Sequence, residues 1–261
     1  MLSTMGYRII DSHAHIGPYF NFFIPFNNAK DMLKTMDLSG IEATVISSNA
    51  AISSDVIMGN KYTLETVKTY PGRFLGHFMF NPNYAEEMKR YVPEYFKNDG
   101  IIGFKIHPEL SGDYPMPGKG YRYMWEYSNK HRIPVLFHTY FGGDRLEVIE
   151  AVAKDYPDSP MLIGHGGSDL GIEKTVDLVN KYPNLYYDMC SPCNKKYGAI
   201  KLVAKECNPD KVLFGTDTPW NDPDLSVGAI LLSEVEDSIK RKWFSENFFR
   251  LYKRASKMLV P

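Results

Sequence analysis

Tyr7-Arg8-Ile9-Ile10-Asp11-Ser12-His13-Ala14-His15 is the stretch on which the reading of this 261-residue chain turns. A short apolar run, residues 7–10, leads straight into an acid-x-His-x-His sequence. In a doubly wound open sheet the first strand would instead feed a glycine-rich loop that receives a phosphate on its backbone N–H groups. No such loop follows Ile10. Working outward, further β-branched and aromatic runs occupy residues 43–47, 74–80, 101–106, 134–138, 161–164, 185–189 and 212–215. Most are continuously apolar rather than alternating, as strands covered on both faces are. Segments with helical spacing lie between them, among them 84–97, 146–155 and 172–182, and Pro93 is expected to break or kink the first. Strand starts recur roughly every 24–36 residues, the length of one βα unit. Eight such units predict an α/β protein, a (β/α)8 TIM barrel that fills residues 1–261 as one domain, and about 250 residues is the usual size of that fold. The stretch 237–253 reads as a closing helix whose Ile239, Trp243, Phe244, Phe248, Leu251 and Tyr252 cover the barrel.

Composition excludes several function classes. The formal net charge is −1, so there is no basic excess to neutralise phosphates and nucleic acid is not expected as a partner. Three cysteines, an odd number, argue against a disulfide scaffold and for a reducing compartment. The first ten residues lack the basic-then-apolar pattern of a signal peptide. No run approaches the roughly 18 uncharged apolar residues of a membrane span. A cytoplasmic protein acting on a small molecule, away from membranes, is the expectation, with a homodimer as the default assembly.

The chemistry starts at Asp11–His15. In an extended chain, residues two apart point the same way, so His13 and His15 share a face and both imidazoles can converge on one ion. Asp11 lies one pleat back on that face, where a carboxylate can orient a ligand histidine. His138, His165 and Asp217 each end or follow another apolar run. In a barrel, polar residues at the strand ends point into one shared mouth, so the five form a joint set of candidate ligands.

Together, Asp11–His15, Gly103-Phe104-Lys105-Ile106-His107-Pro108, His138, Gly164-His165-Gly166-Gly167, Gly215-Thr216-Asp217-Thr218-Pro219 and Ser245-Glu246-Asn247-Phe248 resemble the amidohydrolase-2 family. This is the branch of the amidohydrolase superfamily that includes aminocarboxymuconate-semialdehyde decarboxylase. The resemblance spans nearly the whole chain in the family's order. It implies a divalent metal, commonly zinc, held by His13, His15, His138 and Asp217, with an open position for water. The cation would lower that water's pKa from 15.7 towards about 7. Asp217 would also accept the water's proton, and His165 would orient the nucleophile or protonate the leaving group. Donor type alone leaves manganese, iron and cobalt open beside zinc.

Lys105 and His107 lie two apart and are read as substrate-binding residues, Lys105 as a point charge for a carboxylate. Two other readings of Lys105 stand beside that one: a carboxylated lysine bridging a second metal ion, as in some amidohydrolases, and a lysine buried by an ion pair. Cys190-Ser191-Pro192-Cys193 lacks the second pair of a four-cysteine zinc site and is read as two reduced thiols near the mouth, with Asp188 lining it. Phe20, Phe22, Phe23 and Phe26 lie in a loop that either lids a substrate or forms a contact surface. Tyr114, Tyr121, Arg122 and Tyr140 are further candidate substrate contacts, and Trp220 a candidate wall. The leading expectation is metal-dependent hydrolysis of a small-molecule amide, lactone or ester bond. The alternative is non-oxidative decarboxylation of a small carboxylic acid on the same metal. A metal-dependent nuclease of the TatD type shares the His-x-His start but has a glutamate ligand on strand four, where this chain has Lys105 and His107.

Overall fold

The computed structural model describes residues 6–139, 145–167, 170–191 and 196–259. Eight strands form one sheet in chain order. They are β1 Ile10–Ile16, β2 Ala43–Ser48, β3 Phe74–Met79, β4 Ile101–Ile106, β5 Val135–Phe137, β6 Met161–Ile163, β7 Leu185–Asp188 and β8 Val212–Leu213. Each pairs in parallel with its successor. The seam is closed by Ser12 N–H, which donates to the Phe214 carbonyl at 3.0 Å, and by a bridge between Ala14 and Thr218. Helices such as Ala29–Ser39, Val56–Thr69, Arg122–His131 and Ile172–Lys181 fill the crossovers. The result is the predicted (β/α)8 barrel. No helix among the described residues is long and apolar enough to cross a membrane.

Two local expectations change. The helix Ala85–Tyr95 runs through Pro93 and ends two residues later. A proline so close to the C-terminus forfeits one hydrogen bond instead of breaking the body of the helix, and Met88 and Val92 still bury its apolar face. The closing segment is interrupted as well: Asp237–Arg241 is α-helical, Lys242–Glu246 forms a π-turn and Asn247–Leu251 resumes the α-helix.

That closing segment is the barrel floor. Ile10, Ala43, Val45, Leu75, Ile102, Leu136, Leu162 and Leu213 form one buried cluster with Phe248, Leu251, Tyr252, Ala255 and Leu259. Above it, polarity enters the barrel, since His77 on β3 is buried with its Nε2 3.0 Å from the Tyr252 hydroxyl. Phe248 is 1% exposed. Phe248→Ala is expected to cost about 3–5 kcal/mol, the usual range for emptying a buried aromatic site. Chemical denaturation would read the loss, and a change under 1 kcal/mol would show that the floor repacks.

β1 is longer than residues 7–10 and contains the His-x-His sequence instead of preceding it. Between the pairs Asp11–Thr44 and Ala14–Ile46, three steps along β1 match two along β2, so β1 carries an extra residue. Strict alternation from the floor residue Ile10 would turn Ser12 and Ala14 inward. The bulge reverses the parity and brings His13 and His15 into the barrel.

Candidate active site at the C-terminal mouth

Five imidazoles cross the mouth in file. Ring centroids are 5.4 Å apart for His15–His13, 4.9 Å for His13–His165, 4.6 Å for His165–His138 and 3.8 Å for His138–His107, the last pair stacked. Burial holds the ring pKa well below the ordinary histidine value at His13 and His107, and below it at His15, with the charge of Lys105 adding to the effect at all three. Neutral rings are the metal-ligating form.

At one end of the file three electron-pair donors converge. The His15 Nε2 lies 3.3 Å and the His13 Nε2 3.7 Å from the Asp217 Oδ1. Each ring turns its other nitrogen outward to an acceptor. His13 Nδ1 is 2.7 Å from Asp188 Oδ2, and His15 Nδ1 is 3.3 Å from the Ser47 carbonyl, which only accepts. The His13 ring therefore carries its hydrogen on Nδ1, which leaves Nε2 an electron-pair donor, while the His15 Nδ1 also meets the Ser47 hydroxyl at 3.0 Å. Two imidazole nitrogens and a carboxylate oxygen this close together suit a divalent cation. The residues present thus fit the metal expected of the sequence. His138, the fourth expected ligand, is not in this group. It stands beside His107 and Glu109, which with it form a second set of candidate donors, and shares a 3.0 Å hydrogen bond with His165 Nε2.

The supports come from distant parts of the chain. Asp217 adopts φ 66° and His165 φ 57°, the left-handed region that His and Asp enter more readily than most residues, and such strain gathers at functional sites. The Asp217 turn is held by its N–H, which donates to the His13 carbonyl at 2.8 Å. Asp11 does not touch a ligand ring. Its carboxylate accepts from Thr216 Oγ1 at 2.6 Å, Thr216 N–H at 3.0 Å and His13 N–H at 3.1 Å, tying β1 to β8. The carboxylate that meets the His13 ring is instead that of Asp188. Burial pushes both carboxyls up to about 7, opposed at Asp11 by the Thr216 hydroxyl and at Asp188 by the Cys190 and His165 N–H groups.

Lys105 is fully buried, and its Nζ lies 2.9 Å from His13 Nε2. Burial draws its pKa down to about 8, against the pull of Asp217 and Asp188. It sits beneath the mouth and is not part of the cavity wall. The cavity, about 360 Å³, is lined by Tyr19, Phe22, His107, Glu109, His138, His165, Ser191, Asp217 and Trp220 among others. Trp220 forms the expected wall, fixed by its indole N–H, which donates to Asn49 Oδ1 at 2.9 Å, and Phe22 packs edge-on against it at 5.3 Å. Phe20, Phe23 and Phe26 point to solvent. Tyr114, Tyr121 and Arg122 do not line the cavity, and Asp188 lies below it. Cys190 is buried with its Sγ 3.3 Å from His165 Nδ1, whereas Cys193 and Tyr140 fall outside the described residues. A larger surface groove, about 700 Å³, runs along Ala199–Glu206 and carries none of the candidate residues.

Glu109 and Tyr19 were not singled out from the sequence. Both stand in loops after strands, where only the position after an apolar run marks a residue as facing the mouth.

A family model described as "Amidohydrolase" matches residues 10–254. Three solved structures share the fold. An uncharacterized TIM-barrel protein from Bordetella bronchiseptica is 18% identical with a TM-score of 0.77, covering 95% of this chain and 99% of that one. The 2,6-dihydroxybenzoate decarboxylase from Rhizobium is 17% identical with a TM-score of 0.70, covering 95% and 99%. A dihydroxybenzoic acid decarboxylase from Polaromonas sp. JS666, solved with manganese and the inhibitor 2-nitroresorcinol, is 16% identical with a TM-score of 0.73, covering 95% and 97%. No curated protein matches the chain.

Proposed function

This chain belongs to the amidohydrolase family, a family of metal-dependent enzymes, and from that premise we propose that it hydrolyses an amide, lactone or ester bond of a small molecule. The observation that carries this reading is the convergence of His13 Nε2, His15 Nε2 and Asp217 Oδ1 at the edge of a cavity of about 360 Å³. His13, His15 and Asp217 would hold a divalent cation there, zinc in this reading and one ion per chain, which would supply Lewis acidity for a carbonyl and for water near neutrality. Asp217, which lines the cavity, takes the proton released by the attacking water. His165, lining the same cavity and hydrogen-bonded to His138, delivers a proton to the leaving group. Tyr19, Phe22 and Trp220 close one side and exclude bulk water.

Non-oxidative decarboxylation of a small carboxylic acid is the second reading. It is supported by the names of two proteins that share this fold across 95% of the chain, both decarboxylases. The same acid, His165, would then protonate the carbon that loses CO₂. A panel of lactones, amides, esters and aromatic or unsaturated carboxylic acids, assayed in ¹⁸O-water with CO₂ detection, separates the two. Label in the product without CO₂ is expected. CO₂ release without label selects decarboxylation, and no turnover of any panel member by metal-loaded protein counts against both.

A further inference from the structure

We infer that Asp188 is the positioning residue of this site, one carboxylate that sets the hydrogen of His13 and the backbone pose of His165 together. Three N–H groups from different elements end on its two oxygens. The His13 ring nitrogen Nδ1 on β1 and the His165 backbone N–H after β6 approach Oδ2 at 2.7 and 2.9 Å, and the Cys190 backbone N–H approaches Oδ1 at 3.0 Å. Asp188 itself ends β7 and is fully buried. Gly215, two residues after β8, leaves room for it, since a Cβ there would stand 2.5 Å from Asp188 Oδ1 and 2.9 Å from His13 Cβ.

Two contacts specify the same tautomer of His13. The Asp188 carboxylate accepts from Nδ1, and the Lys105 ammonium, which only donates, reaches Nε2 at 2.9 Å. Nε2 is thereby left without a hydrogen, its lone pair engaged by Lys105 in this structure. At His165 the same carboxylate holds the N–H of a residue at φ 57°, a pose that persists only when its surroundings over-determine it. His13, His165, Asp188 and Cys190 bring four donor atoms close together, and both Asp188 oxygens accept from N–H groups within that cluster.

The test compares wild-type protein with Asp188→Ala and Asp188→Asn. The His13 tautomer is read from imidazole ¹⁵N shifts, assigned by the signal missing in His13→Asn. Zinc affinity is read by competition with a chromophoric chelator, and this arm alone rests on the metal reading above. In Asp188→Ala, His13 is expected to lose its fixed Nδ1–H form and zinc binding to weaken about 100-fold. Asp188→Asn, whose amide oxygen still accepts, is expected to keep the tautomer and weaken zinc about 10-fold; both figures lie in the range for residues that orient a metal ligand. A folded Asp188→Ala protein with the wild-type tautomer and zinc affinity overturns the inference. If that variant fails to fold, Asp188→Asn decides: zinc binding indistinguishable from wild type overturns it. If wild-type protein binds no zinc, the metal reading fails, and the tautomer arm still decides the role of Asp188.

Discussion

Purified protein is expected to carry about one divalent ion per chain, and a His13→Ala/His15→Ala double variant none. The two substitutions remove both nitrogens that face Asp217 Oδ1, leaving a single carboxylate where three donors converged. One carboxylate does not hold a divalent ion against water. The substitutions also strip partners from Asp188, Lys105 and Ser47. Leaving buried polar groups unsatisfied costs about 1–3 kcal/mol each, so circular dichroism must accompany elemental analysis to show that the variant is folded. About two ions per wild-type chain would point to Lys105 as a carboxylated bridge. No ion, even after reconstitution with zinc or manganese, would remove the cation from the proposed chemistry.

His165→Asn is expected to keep the metal and lose turnover by about 10²–10⁴-fold, the usual contribution of a general acid or base. His165 is outside the group formed by His13, His15 and Asp217, yet lines the cavity beside His138. Asparagine is the substitution of choice because it tolerates the left-handed backbone that His165 adopts at φ 57°, so the loop after β6 need not move. Its amide keeps hydrogen-bonding capacity but cannot shuttle a proton near neutral pH. Metal analysis beside kcat and KM checks the division of labour. Metal loss equal to that of the double variant would make His165 a ligand, and unchanged kcat would remove it from the chemistry.

The barrel and most residues of its mouth are legible in the chain alone. Eight apolar runs at the spacing of βα units leave few other ways to bury both faces of a parallel sheet. A polar residue at the end of such a run is carried to the common mouth by topology alone, which is why His13, His15, His107, His138, His165 and Asp217 were legible as candidates. Tertiary structure decided how they are grouped. The bulge in β1 depends on pairing with β2 and reverses the inward parity, a change no local pattern announces. Asp188 stands 175 residues from the imidazole it holds, whereas Asp11, two residues from His13, instead ties β1 to β8. The depth of Lys105 below the mouth, against His13, follows from how far β4 is staggered beside its neighbours. Periodicity fixes the direction of a side chain along its own strand; its height in the barrel and its partner across it are set by register, which only the closed sheet supplies.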